Sequence, residues 1–132
     1  MSRAATVVRF PMLLVCLLLV GAARPAAAQT VVTTCGQETH GAAALNADLD
    51  CTGFDGYALT MHGGTLTMNG HAIIGGIIGV QCDRNCKIFG PGAVTGSDFV
   101  GVNGYGVAVT MSQVDISNCG YAGAQIWDGA KI

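Results

Sequence analysis

Three side-chain amides recur at a fixed interval in the second half of the chain. Gln81, Asn103 and Gln125 are evenly spaced, with a period of about 22 residues. If the chain folds into stacked coils of that length, the three amides form one column on the outer surface. Such amides either hydrogen-bond to one another between coils and support the fold, or bind the hydroxyl groups of a sugar chain. The sequence leaves both uses open, and we predict carbohydrate contact.

A second column with the same spacing lies two positions further along each coil. It contains one acid and two aromatic residues, Asp83, Tyr105 and Trp127. Aromatic rings present apolar faces that pack against the apolar faces of sugars. The two columns together predict a polysaccharide-binding surface on a module without catalytic residues.

Catalysis on glycosides has weaker support in the sequence. Glycoside hydrolases need two carboxyl groups a few ångström apart. The candidates are Asp83 with Asp98, and Asp115 with Asp128, and neither pair belongs to a paired-acid motif. We therefore predict no catalytic residues. The alternative is that the chain is the amino-terminal piece of a polysaccharide lyase or hydrolase.

Calcium is the one cofactor that the acids suggest. Asp48, Asp50 and Asp55 offer the hard oxygen ligands that calcium prefers, but their spacing is not that of an EF-hand loop. We predict no cofactor, with calcium as the alternative.

These residues would be positioned by a repeat that covers the same part of the chain. The segments 77–81, 99–103 and 121–125 resemble one another, and their central glycines, Gly79, Gly101 and Gly123, have the same spacing as the amides. Repetition at this period is typical of solenoids, in which each coil stacks on the one before.

The elements inside each repeat have the periodicity of β-strands. Apolar residues occur in pairs spaced by two, such as Leu66 with Met68 before the turn Asn69-Gly70. We predict an all-β fold with three strands of three to five residues per coil and aliphatic side chains inside. Residues 42–45 are the exception, because their composition also allows one helical turn.

Three phrases carry a resemblance to a known family: LNADLDC at 45–51, LTMNGHAIIGG at 66–76 and CKIFGPGAVTGS at 86–97. They resemble the secreted right-handed parallel β-helix proteins with pectin-lyase-like coils. The resemblance implies a right-handed parallel β-helix, here with about four short coils. It does not imply an activity, because that fold includes lyases, hydrolases and proteins without catalysis.

The chain has fewer coils than members of that family and no clear polar cap after its last predicted strand. An open carboxyl-terminal end exposes strand edges, which pair readily with other chains. We therefore keep a structural or adhesive protein that self-associates through this end as a further alternative.

The segment 1–28 has the pattern of a signal peptide. Two arginines precede an apolar run at 12–20, and three alanines at 26–28 precede a cleavage point before Gln29. The run is too short to span a bilayer. We predict a signal peptide at 1–28, an amino-terminal capping segment at 29–56 that acts as a lid, and coils at 57–132. The mature protein is then secreted, extracellular or periplasmic.

The charge of the chain after residue 28 disfavours nucleic acid as a partner. Arg84, Lys87 and Lys131 are its cations, against eight acids, which gives a formal net charge of −5. This balance repels phosphate backbones. No later segment is long and apolar enough to cross a membrane.

Five cysteines follow the predicted signal peptide, and in an exported chain they are disulfide candidates. Several pairings are possible from the sequence alone. We predict that Cys35 pairs with Cys51 and Cys82 with Cys86. Cys119 is then the unpaired thiol.

Overall fold

The computed structural model describes residues 29–127. Within this range every regular element is a β-strand, and every strand pair is parallel. The ten strands are β1 (Thr30–Val31), β2 (Gln37–Thr39), β3 (Ala42–Ala44), β4 (Leu49–Cys51), β5 (Tyr57–Thr67), β6 (Ala72–Gly75), β7 (Ile78–Thr95), β8 (Val100–Tyr105), β9 (Val109–Ser117) and β10 (Ala122–Trp127).

The repeat in the sequence is the repeat of the structure. Leu59 pairs with Val80, Val80 with Val102, and Val102 with Ala124, so each step of about 22 residues returns the chain to the same point one layer further on. The predicted all-β solenoid of about four turns is thereby confirmed.

Each coil has three sides, which we number in chain order. The first side contains β2, residues 57–61 and 78–82, β8 and β10. The second contains β3 and residues 64–67, 86–89 and 109–112. The third contains β4, β6 and residues 93–95 and 114–117.

Several strands are longer than the predicted three to five residues. β5 has 11 residues and β7 has 18, because hydrogen bonding to the neighbouring coil continues around the corners. Register shifts mark two of these corners, between Met61 and His62 on β5 and between Phe89 and Gly92 on β7. Neighbouring coils that turn at the same place keep their backbone groups paired, as buried amides require.

The core is built from aliphatic columns that point inward from the three sides. On the second side Leu66 and Ile88 are fully buried, and on the third side Ile73 and Val94 are fully buried. Each fully buried side chain of this kind contributes about 1.5–3 kcal/mol. In the coil that begins with β8 the corresponding residues, Met111 and Ile116, are only partly buried.

The repeated glycines lie one above another along the solenoid axis, at a place where the backbones of neighbouring coils approach closely. A methyl group added at Gly79 would lie 2.6 Å from the carbonyl oxygen of Gly101, and one added at Gly101 would lie 2.6 Å from that of Gly123. Real Cβ atoms do not approach oxygen so closely, so the close packing of the coils excludes any side chain at these positions.

Residues 29–56 form a layer of the solenoid themselves. Gln37 pairs with Leu59, Ala42 with Thr65 and Leu49 with Ile73, one pair on each side. Residues 42–45 do not form the helical turn that their composition also allowed. Ala42–Ala44 form β3 instead, which pairs with β5 of the neighbouring coil. The segment predicted as a lid therefore has the form of a first coil.

Both predicted disulfides are present. Cys35 is bonded to Cys51, with 5.7 Å between their Cα atoms, and Cys82 is bonded to Cys86 across the corner after the first side. Cys119 carries a free thiol and is partly buried. The predicted signal peptide at 1–28 lies outside the described residues. No helix in the described part of the chain is long and apolar enough to span a bilayer.

Candidate functional site

The predicted amide column exists and lies on the first side. Gln81 pairs with Asn103, and Asn103 with Gln125, one residue per coil. The Asn103 side chain donates a hydrogen bond of 2.7 Å to Oε1 of Gln81. Gln81 is only 8% exposed, and its Nε2 donates to Asp83 Oδ1 at 3.1 Å. Both polar atoms of Gln81 are therefore engaged within the fold.

Asp83 extends this network towards the amino-terminal end. It falls at the register shift between Met61 and His62, so the strand pairing passes from Cys82 directly to Arg84. One carboxylate oxygen of Asp83 accepts the hydrogen bond from Gln81, and the other lies 3.5 Å from Nδ1 of His62. The bulge thus turns Asp83 towards the preceding coil.

His62 connects the network to the first coil. Its Nε2 lies 3.6 Å from a carboxylate oxygen of Glu38, and its ring stacks on that of His40, with centroids 4.7 Å apart and an angle of 16° between the planes. We call the set Glu38, His62, Asp83, Gln81 and Asn103 the polar network. The His62 imidazole therefore lies between a carboxylate of the first coil and a carboxylate of the third.

Sequence reasoning missed the histidine part of the polar network. The signal was present, because His40 and His62 are separated by the same interval as the glycines. In a solenoid this interval places two rings one above the other, at about the 4.7–4.9 Å spacing between neighbouring strands.

The aromatic column lies at the carboxyl ends of the last two strands of the first side. Tyr105 pairs with Trp127, directly beside the pair Asn103 and Gln125. Tyr105 is 68% exposed and Trp127 is 50% exposed. The register therefore brings two exposed aromatic side chains together on neighbouring coils, next to two amides.

A second aromatic pair, which was not predicted from the sequence, lies at the other end of the same two strands. Phe99 and Tyr121 immediately precede β8 and β10, and their rings stack with centroids 4.8 Å apart and 14° between the planes. Both rings are exposed to solvent. The repeat interval between the two positions was again the available signal.

Comparisons with protein-family models, with curated proteins and with solved structures found no match to this chain. Function is therefore inferred from the chain's own surface.

Of the four acids considered for catalysis, the described residues include Asp83, Asp98 and Asp115. The Asp83 carboxylate contacts Gln81 and His62 rather than Asp98. Asp115 lies on the third side, in register with Ala93, and its predicted partner at position 128 is outside the described residues.

Two of the three calcium candidates, Asp48 and Asp50, have separate local hydrogen-bond partners. Asp48 Oδ1 accepts a hydrogen bond of 2.9 Å from the backbone N–H of Ala72 and lies 3.4 Å from Nδ1 of His71. Among residues 29–127 no group of three or more histidines, cysteines or acids is arranged to hold a metal ion.

Asp50 has a perturbed acidity with a local cause. The Thr52 hydroxyl donates to Asp50 Oδ1 at 2.6 Å, and the Thr52 backbone N–H donates to the same oxygen at 3.0 Å. These hydrogen bonds favour the carboxylate and lower the pKa of Asp50 below its ordinary value.

An open depression of about 400 Å³ lies on the second side. Its lining includes Lys87, two threonines and Asn85, whose side-chain oxygen accepts a hydrogen bond of 2.9 Å from the backbone of Ala108. The depression lies apart from both aromatic pairs, on a different side of the coils. It therefore does not extend the aromatic surface.

Proposed function

We propose that this protein is an exported, non-catalytic β-solenoid module that binds polysaccharide through the first side of its last two coils. The contact residues are Tyr105 and Trp127 with the neighbouring amides of Asn103 and Gln125. The observation that carries the proposal is the strand register, which places the exposed rings of Tyr105 and Trp127 on adjacent coils.

The arrangement suits sugars because it combines flat apolar surface with adjacent hydrogen-bonding groups. Aromatic rings bury the apolar face of a sugar, while amide donors and acceptors bind its hydroxyls and set its orientation. Solenoids present such groups on an extended surface, since equivalent positions recur along the axis.

The other members of the predicted columns have a supporting role in this proposal. Gln81 and Asp83 hydrogen-bond to each other, and Gln81 holds the Asn103 amide in place at 2.7 Å. A positioned side chain loses less conformational entropy when it binds a ligand. The polar network therefore pre-organises one edge of the binding surface.

Export agrees with the covalent structure. Two disulfides, Cys35–Cys51 and Cys82–Cys86, are the kind of bond that persists in oxidising compartments. Together with the predicted signal peptide they support a secreted, extracellular or periplasmic location. The pectin-lyase-like coils suggested by the sequence support a surface of parallel strands as the contact region.

The test is binding to a panel of insoluble and soluble polysaccharides that includes cellulose, xylan, mannan, β-glucan, chitin and polygalacturonate. The double variant Tyr105→Ala with Trp127→Ala should bind the positive polysaccharide about tenfold more weakly or worse, since each ring contributes roughly 0.5–1.5 kcal/mol. Phe89→Ala is the matched control, because Phe89 is also an exposed ring but lies on the second side.

Three results would contradict the proposal. Failure to bind any polysaccharide would remove it. An equal loss of affinity in Phe89→Ala and in the double variant would show that the first side is not the contact region. Release of new reducing ends or unsaturated sugars from the bound polymer would identify an enzyme instead.

A further inference from the structure

The two aromatic pairs of the last coils enclose a stretch without charge. Phe99 and Tyr121 precede strands β8 and β10, and Tyr105 and Trp127 end them. The sequence between Phe99 and Tyr105 is Val-Gly-Val-Asn-Gly, and the sequence between Tyr121 and Trp127 is Ala-Gly-Ala-Gln-Ile. The polar side chains in these two segments are therefore two amides. We call the outward-facing surface of residues 99–105 and 121–127, to which the buried side chains of Val100 and Val102 do not contribute, the neutral strip.

Building on the proposed function, we propose that the neutral strip binds an uncharged, extended polysaccharide chain that runs along β8 and β10 from one aromatic pair to the other. This assignment specifies both the chemical class of the ligand and its direction on the solenoid.

The length of the ligand follows from the strand geometry. Tyr105 lies six positions after Phe99, and Trp127 lies six positions after Tyr121. At about 3.3 Å per residue in a parallel strand, the two pairs are at most about 20 Å apart. A monosaccharide would contact a single pair, whereas an oligosaccharide of sufficient length would contact both.

The charge of the ligand follows from what surrounds the strip. The cations of the described chain, Arg84 and Lys87, both lie on β7 in an earlier coil, and Arg84 directly follows Asp83. Asp98 is exposed and adjoins Phe99 at one end of the strip. A polymer of uronic acids would find no cation between the aromatic pairs, while a neutral chain would bring no charge that requires one.

The test measures affinity for neutral oligosaccharides of increasing length, from mono- to hexasaccharide, prepared from the polysaccharide that binds. Affinity should rise with length until both pairs are contacted and then level off. Phe99→Ala combined with Tyr121→Ala should weaken the hexasaccharide about tenfold and leave the disaccharide unchanged. Tyr121→Phe, which keeps the ring, should bind as the unmodified protein does.

Salt provides an independent measurement of the ligand class. Added salt screens charge pairs, so binding of a neutral chain should be the same at low and high ionic strength. Tight binding of polygalacturonate that weakens with salt would overturn the assignment to a neutral ligand.

The further inference and the proposed function fail in different ways. If the hexasaccharide loses affinity on removal of Tyr105 and Trp127 but not on removal of Phe99 and Tyr121, the proposed function stands and the extended path is wrong. If no glycan binds at all, both are wrong. Circular dichroism and the melting temperature of each variant establish that the fold is intact.

Discussion

The first two coils and the last two coils carry different side chains on the same side of the solenoid. In the first two, His62 lies 3.6 Å from Glu38 and stacks on His40, and it also lies 3.5 Å from Asp83 of the third coil. In the last two, the rings at the same end of the strands are exposed to solvent. The strands of the first side pair in the same way in both halves, except for the register shift between Met61 and His62, which β8 and β10 lack. A solenoid therefore supplies equivalent positions on each coil, and the side chains determine whether a position stabilises the fold or stays available to a ligand.

The cores of the two halves differ as well. Ile73 in the second coil is completely buried, whereas Ile116, which follows in the same column of the third side, is only partly buried. A solenoid coil obtains its burial from the coils on both sides of it. The amino-terminal half is therefore expected to contribute more of the stability, and the carboxyl-terminal half more of the binding.

The largest expected effect concerns this difference in the core. Ile73→Ala should lower the free energy of unfolding by about 2–5 kcal/mol, because it leaves a cavity in the core between two neighbouring coils. Ile116→Ala should cost about half as much, because its side chain transfers less apolar surface from water. Urea unfolding of both variants measures the two values. Equal losses would show that the two ends are packed alike.

An intermediate effect separates structural from binding amides within one column. Gln81→Ala removes two hydrogen bonds at a buried position and should cost about 1–3 kcal/mol of stability. Gln125→Ala should change stability by no more than about 0.5 kcal/mol. Its polysaccharide affinity should instead fall about fivefold, which corresponds to the loss of roughly one hydrogen bond.

Thermal unfolding and polysaccharide binding of the same two variants check this prediction. A destabilised Gln125→Ala with unchanged affinity would assign that amide to the fold. Gln81 and Gln125 would then both have a structural role.

The smallest expected effect is a pH dependence confined to the first coil. Because the Thr52 hydrogen bonds lower the folded-state pKa of Asp50, they stabilise the fold above the unfolded-state pKa. This contribution is lost as the pH falls through the lowered folded-state value. Asp50→Asn should therefore have a slightly lower melting temperature than the unmodified protein at neutral pH.

The two melting temperatures should converge as the pH drops below the ordinary aspartate value of 3.8. A scan of melting temperature against pH for both proteins measures this convergence. A constant difference across the acid range would mean that Asp50 contributes through something other than its charge. Polysaccharide affinity should be the same for both proteins at neutral pH, since Asp50 lies on the third side of the first coil.

The architecture could be predicted from the sequence alone. Periodicity in the positions of glycine, apolar residues and amides recorded the length of each coil, because equivalent positions in stacked coils share one environment. Gly79 and Gly101 show this most directly, since close backbone contact excludes side chains at both. The register of Tyr105 with Trp127 followed from the same periodicity. The pairing of Cys35 with Cys51 and of Cys82 with Cys86 was instead one choice among several that the sequence left open.

The roles of the outward side chains depend on the tertiary structure. The register shift beside Met61 turned Asp83 towards His62, and burial committed Gln81 to hydrogen bonds within the fold. Periodicity specifies which residues share a column but not the local bend of the backbone or the exposure of each side chain. The local bend and the exposure depend on contacts between residues that are distant in sequence. The neutral strip and the polar network can therefore be told apart in the structure but not in the sequence.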